Sequence, residues 1–345
     1  MASPSIQTAR ILVGGLVISA IVLPSVWKPV VSRIYQSMRE SYLYQRSFFE
    51  TIETLFFYSL IEPIYTAVYA RHPANRIDVR RAKSRMDTDT NRPAPLPKMK
   101  RPHHRLGEML TFMSPLLLLD LTMVKKYANV DVTAIRESAG YGPVFNSSNQ
   151  STSFPVKDNI SPYFLSPTLH NFSLQSPLQT SRALPQDAPS SRRLVLELIA
   201  SMFIYDALFF ATHLALHRLP LLARIHTAHH RHGEIHPQVT NRLSVAERLS
   251  LILLANFALN IIGSHVLTRT MFVPVFVYML IEVHSGVDLA WQYDKFLPAG
   301  WGAGARKHAA HHREGHRHYA PFFSWWDNAL EWWESGPRTV EDKVK

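Results

Sequence analysis

The stretch LVLELIASMFIYDALFFATHLALH, from Leu194 to His217, is an apolar helix that runs directly into two histidines four residues apart, His213 and His217. The part up to Thr212 approaches the ~20 residues that cross a hydrocarbon core, so its end sets imidazoles at a membrane face. Downstream stand His226-Thr-Ala-His229-His230, a lone His284, and His308-Ala-Ala-His311-His312. Fourteen of the eighteen histidines lie between His213 and His318. Spacings of three and four residues put side chains on one face of a helix, and neutral imidazole is the commonest metal ligand. His213, His217, His226, His229, His230, His284, His308, His311 and His312 are therefore nine candidate ligands. That is too many for one tetrahedral zinc and about right for two metals.

His226 to His236 is a polar, basic stretch, which fits a site just outside the bilayer. Leu249 to Ser264 and Thr270 to Val283 are apolar runs separated by His265 and Arg269, and they predict a helical hairpin that returns His284 to the side of the other clusters. His265, nineteen residues before His284, would lie roughly 28 Å away at 1.5 Å per residue and cannot share the site. His232, His236 and His318 read as basic surface, and His316 reads equally as surface or as an extra ligand.

Toward the N-terminus, Ile11 to Trp27 is apolar and followed by Lys28, Arg33 and Arg39, a retained anchor rather than a cleaved signal peptide. Phe48 to Tyr69 carries Glu50, Glu53, Glu62 and Pro63 and fits an interfacial helix or an imperfect span. Residues 71–105 are rich in arginine, lysine and proline, a solvated segment on the cytosolic side by the positive-inside tendency. Met109 to Val124 is a further possible span. Lys125 to Arg193 reads as a long Ser/Pro/Asn-rich loop, with sequons at Asn146, Asn149, Asn159 and Asn171 that suit a lumenal, glycosylated loop. The organisation expected is thus residues 1–70 as anchor and interfacial helices, 71–105 as a basic cytosolic segment, 106–193 as span and loop, 194–335 as the histidine-bearing domain, and 336–345 as a tail.

Composition agrees with a membrane protein: 46% of the 345 residues are hydrophobic. The absence of cysteine excludes disulfides and thiolate metal sites, leaving nitrogen and oxygen ligands that suit iron, zinc or copper. The formal charge of +11 comes with no nucleic-acid motif, and an anionic membrane surface or an acidic protein partner accounts for it.

At its histidine clusters the chain resembles the fatty acid hydroxylase/sterol desaturase superfamily of membrane non-haem di-iron enzymes, over Leu194 to about Glu334. Asp206 precedes His213 by the seven residues usual in members, and the second and third boxes match directly. His284-Ser285-Gly286-Val287-Asp288 and Trp325-Trp326-Asp327 resemble elements of the C-4 methylsterol oxidase and cholesterol 25-hydroxylase branch. Departures are Leu214 in place of arginine, Ser244-Val245 in place of histidine-proline ahead of Glu247, and His318-Tyr319-Ala320 in place of asparagine-tyrosine-glycine.

The resemblance implies an all-α membrane helical bundle with a cytosol-facing histidine-rich cap holding two iron ions, in the endoplasmic reticulum. It implies hydroxylation of a sterol, terpenoid or long-chain lipid with O2 and electrons from NAD(P)H, delivered by cytochrome b5 or a reductase. The chain has no Rossmann glycine pattern or haem motif of its own, and a basic cytosolic face suits an acidic electron carrier. Asp206 and Asp288 are expected to orient ligating imidazoles, with Glu282 a further acid that could do so. Desaturation on the same fold is the alternative, as is a non-catalytic zinc-binding membrane protein; a metal transporter would place its histidines inside the spans.

Overall fold

In the computed structural model, residues 4–85, 96–101, 104–141, 176–231 and 234–335 are described, and among them all regular secondary structure is helical. The four sequons and His232 lie outside the described residues. Among the described residues three helices are long and apolar enough to cross a membrane: Ser5–Val22 within α1 (Pro4–Val22), Ser191–Arg218, which is α7, and Val266–Val283, which is α10.

The expected N-terminal anchor is cut at Leu23, because Pro24 supplies no N–H and disfavours helical backbone at the residue before it. Leu23 accordingly leaves the helical region, and α2 (Pro24–Glu40) begins anew. The segment read as an imperfect span is a continuous helix, α3 (Phe49–Arg71), with Glu53, Glu62, Tyr65 and Tyr69 buried. It packs along α10. Glu62 pairs with Arg105 at 2.7 Å, both buried, so the acid that interrupts the apolar pattern is neutralised within the bundle. A short α4 (Ile77–Arg85) precedes α5 (Leu106–Thr122), which packs on α3. Residues 71–105 are therefore not wholly solvated: Arg76 and Arg105 are buried, Arg76 against Asp78 and over the Tyr69 ring.

The loop expected over 125–193 also carries structure in its described parts. It contains α6 (Val132–Ser138), with Asp131 as N-cap. Arg182 is buried, donating to Tyr44 O at 2.8 Å and pairing with Glu50 at 3.0 Å. A basic residue in a serine-rich context thus locks the loop onto α3.

Ser190 caps α7, its hydroxyl accepting from Arg193 N, and the helix continues through His217. The hairpin expected after the second cluster is α9 (Val245–Ile261) and α10. Ser244 caps α9, and His265 caps α10 by accepting from Leu267 N at 3.1 Å, which gives His265 a structural place away from the other histidines. The remaining histidines ride on α8 (Pro220–His230) and α12 (Gly304–Glu314), with the short α11 (Tyr293–Phe296) before α12 and α13 (Trp325–Ser335) after it. Arg80 and Arg81 of α4 pair with Asp288 and Glu234, so the basic segment sits at the histidine end of the bundle. Residues 125–141 and 176–190 sit at the opposite end, around Glu50 and Asp120.

Candidate metal centre

All nine histidines named from the sequence converge. Their ring nitrogens fall into two groups, each with ligand atoms within 4.8 Å of one another: His213, His217, His226, His230 and His311; and His229, His284, His308 and His312. The partition follows helical spacing. On α8, His226 and His230, four apart, serve one group while His229 faces the other; on α12, His308 and His312 serve the second group while His311 crosses to the first. α7 contributes to the first group only, and His284, at the C-terminal end of α10, to the second. The two groups abut, the His230 and His312 rings stacking at 4.6 Å between centroids.

The second ring nitrogen settles the tautomer of several ligands. His213 Nδ1 donates to Tyr319 O at 2.7 Å, His284 Nδ1 to Leu280 O at 2.8 Å, and His311 Nδ1 to Arg317 O at 2.7 Å. A carbonyl only accepts, so each Nδ1 carries the hydrogen and each Nε2 presents a bare lone pair. His226 Nδ1 reaches Glu247 Oε1 at 2.7 Å, a carboxylate–histidine pair of the kind that fixes metal ligands. With Glu247 ionised, as a bound cation favours, His226 Nδ1 carries the hydrogen and His213 Nε2 and His226 Nε2 oppose each other at 3.1 Å as two lone pairs. Two lone pairs at that distance repel unless a cation lies against both. His217 Nε2, His230 Nε2, His311 Nε2 and both nitrogens of His312 are likewise buried without a protein partner. The donor set thus fits metal ions.

Burial keeps these imidazoles neutral. It pushes His226, His230 and His284 down to about 4 and His311 to about 2, and holds His229, His308 and His312 well below the ordinary histidine range, with neighbouring imidazoles adding to the effect at several of them. Neutral imidazole is the form that binds metal.

The acids are disposed differently from expectation. Asp206 Oδ1 accepts from Phe322 N at 2.8 Å and Phe323 N at 3.3 Å rather than from an imidazole. Asp288 pairs with Arg80 at 2.7 Å, Arg306 at 2.5 Å and Lys295 at 3.3 Å, joining α4 to the start of α12. Glu282 accepts from Tyr65 Oη and Tyr293 N, both at 2.7 Å.

Two acids not singled out in the sequence as site residues complete the frame. Glu247 is the carboxylate that meets a histidine, and Asp327, last of the Trp-Trp-Asp element, accepts from Tyr319 N at 2.7 Å. Asp206 and Asp327 therefore clamp the 319–323 backbone from two sides, and the Tyr319 carbonyl of that segment holds His213. The carboxylates at Asp206 and Asp327 act on the ligands through the loop. Trp326 packs beside Phe203 and Phe210 of α7, while Trp332 and Trp333 are exposed. His316, read equally as surface or as an extra ligand, is exposed, while of the histidines read as surface His318 is half-buried and His236 is buried against Tyr69.

Comparison with known proteins adds a second line. Residues 198–331 match the fatty acid hydroxylase family. The cholesterol 25-hydroxylases of Rattus norvegicus and Homo sapiens are each 32% identical over 148 residues, 43% of this chain and 50% and 54% of theirs. A methylsterol monooxygenase of Aspergillus fumigatus is 27% identical over 151 residues, 41% of this chain and 49% of its own. The chain spans about half the length of the curated relatives it matches. No solved structure matches. Residues 198–331 are thus similar to the fatty acid hydroxylase family, the resemblance read from the histidine boxes, with likeness to cholesterol 25-hydroxylases and methylsterol monooxygenases.

Proposed function

We propose that this chain is a membrane-bound oxygenase that hydroxylates a C–H bond of a sterol, terpenoid or long-chain lipid, using O2 and electrons that originate from NAD(P)H. The observation that carries the reading is the pair of adjoining histidine groups with bare, buried Nε2 atoms. The names of the relatives support a sterol or similar lipid as substrate.

His213, His217, His226, His230 and His311 would hold one metal ion, and His229, His284, His308 and His312 the other, as ligands that stay neutral near pH 7. Bound iron would supply the reduction of O2 and the oxidising equivalent that an aliphatic C–H bond requires. The protein's part is preorganisation: Glu247 fixes His226, and the carbonyls of Leu280, Arg317 and Tyr319 fix His284, His311 and His213. In the overall balance one oxygen atom enters the C–H bond, and the other leaves as water with two electrons and two protons. The electrons come from an external carrier, cytochrome b5 or a reductase. The reading places the enzyme in the endoplasmic reticulum with the histidine end toward the cytosol, where that carrier resides.

The test is turnover in microsomes supplied with NADPH and 18O2, with His229→Ala as control and extracted lipids compared by mass spectrometry. A lipid product that carries the heavy oxygen and is absent from the control is the expected result. A product two hydrogens lighter and free of label would make the chain a desaturase, and an identical lipid profile in both samples, across sterol and fatty acid supplements, would favour a zinc-binding scaffold.

A further inference from the structure

The two histidine groups are not equally sheltered. All four members of the second are buried, whereas His217 and His230 of the first are half-buried, their ring centroids 4.7 Å apart. A third member of the first group is held from the surface: the carbonyl that accepts from His311 Nδ1 belongs to Arg317, whose side chain is exposed. A molecule at the histidine end thus approaches the first group more closely than the second.

The wall over this edge is α8, a single helix. It turns His226, His229 and His230 toward the centre and exposes Leu221, Arg224, Thr227 and, at its C-cap, Arg231. A helix with its side chains is about 10–12 Å across, so a partner resting on the outer face stands about one helix diameter from the first group. Arg218 and Arg317 beside it are taken by Glu334 and Glu314. α8 itself has no acid, and among the described residues neither Arg224 nor Arg231 pairs with a carboxylate. These two cations, seven residues apart, stand about 10 Å from each other along the helix. Unpaired charges so placed steer an oppositely charged partner and fix its register.

We infer that an acidic one-electron carrier protein docks on the outer face of α8 and the adjoining residues 314–318, and that its electrons enter at the first group through the His217–His230 edge. The inference rests on the oxygenase reading for the electrons and on the surface alone for the docking. That reading needs a reductant from outside, since the chain has no Rossmann glycine pattern or haem motif of its own. Each transfer oxidises the carrier by one electron and reduces one iron from ferric to ferrous, with no bond made or broken. Two transfers supply the two electrons of the overall balance. Lipid phosphates would meet the same arginines, but they carry no electrons and give no reason for ligands to lie half-buried beneath.

The full iron-loaded chain in nanodiscs of zwitterionic lipid, which leave both faces open, would be titrated with the soluble haem domain of cytochrome b5 as the acidic probe. Binding is read by biolayer interferometry and electron transfer by anaerobic stopped flow. Reversing both arginines, Arg224→Glu with Arg231→Glu, is expected to weaken binding about tenfold or more at low salt and to slow reduction in proportion, with the difference shrinking at high salt. Arg33→Glu should change neither, since Arg33 is exposed on α2, whose Tyr35 bonds Pro185 at the opposite end. Dithionite, which needs no docking, should reduce all of these chains alike. His217→Ala, which depletes the first ion, should bind the probe normally yet take its electrons about tenfold or more slowly. A wild-type chain that ignores the probe, or binding and reduction that survive the α8 reversal, would overturn the docking face and leave the oxygenase reading standing. Binding through α8 that reduces nothing would sink the oxygenase reading and keep the face. Undiminished reduction of His217→Ala would overturn entry at the first group. A fluorophore at Thr227→Cys that is quenched by nitroxide lipid and does not respond to the probe would give the face to headgroups and overturn the proposal.

Discussion

At the scale of single residues, the histidines are clamped by groups of two kinds, and the kinds should behave differently. Glu247 touches a ligand directly, so Glu247→Gln, which keeps the hydrogen bond but removes the charge, is expected to weaken metal binding about 10- to 100-fold. Competition against a calibrated chelator measures it. Asp206 acts through the backbone of Phe322 and Phe323. Asp206→Asn retains an acceptor and should be mild, whereas Asp206→Ala strands a buried N–H and is expected to cost about 1–3 kcal/mol, read as lowered thermal stability in detergent. A direct ligand-orienting role would instead make both variants fail together in metal affinity. The seven-residue interval from Asp206 to His213 was legible in the sequence, but its purpose was not. Two helical turns separate their levels on α7, and the loop that uses the acid comes from more than a hundred residues away. Glu247 was likewise visible as an acid after the second box, with nothing in its spacing to tie it to His226.

At the scale of elements, the turn that follows α10 explains why the His-Ser-Gly-Val-Asp stretch has the composition it does. Gly286 has φ +67°, and a Cβ there would stand 2.2 Å from Ile235 O and 2.9 Å from the Tyr69 ring. Its carbonyl accepts from Ile77 N, and Asp288 N donates to Asn75 O, so the stretch stitches α10 to the start of α4. Gly286→Ala must displace backbone as well as strain it, and a loss of at least about 1–3 kcal/mol is expected, with looser retention of metal at His284. Gly300→Ala, where φ is also positive but no atom lies within 4 Å, should cost only the backbone term, about 1 kcal/mol. Thermal unfolding of the two variants side by side separates steric from conformational cost. The helices bearing the boxes could be read from apolar length and spacing, because the pattern there is carried by residues near in sequence. The helix over 48–69 could be read too, but neither its place inside the bundle nor the 176–190 segment could, since Glu62, Glu50 and Arg182 look like surface charge until Arg105 and Lys125 arrive from elsewhere in the chain.

At the scale of the molecule, one end of the bundle gathers the histidines, α4, α8 and α12, and the other gathers α6, the 176–190 segment and the Glu50–Lys125–Arg182 network. With no native cysteine, a single introduced thiol reports sidedness without background. In sealed microsomes, Arg317→Cys is expected to react with an impermeant maleimide from the cytosol, and Gln186→Cys only after the membrane is opened; the opposite pattern would invert the orientation. The central claim is that nine histidines from four helices form two metal sites rather than one or none. Its most direct test is anaerobic titration of the purified, metal-stripped chain with ferrous iron, followed by Mössbauer spectroscopy and elemental analysis. The account requires saturation at two ions per chain, with His229→Ala and His312→Ala losing one while His217→Ala depletes the other. Saturation at one ion, or iron that washes out of the wild-type chain, would contradict it.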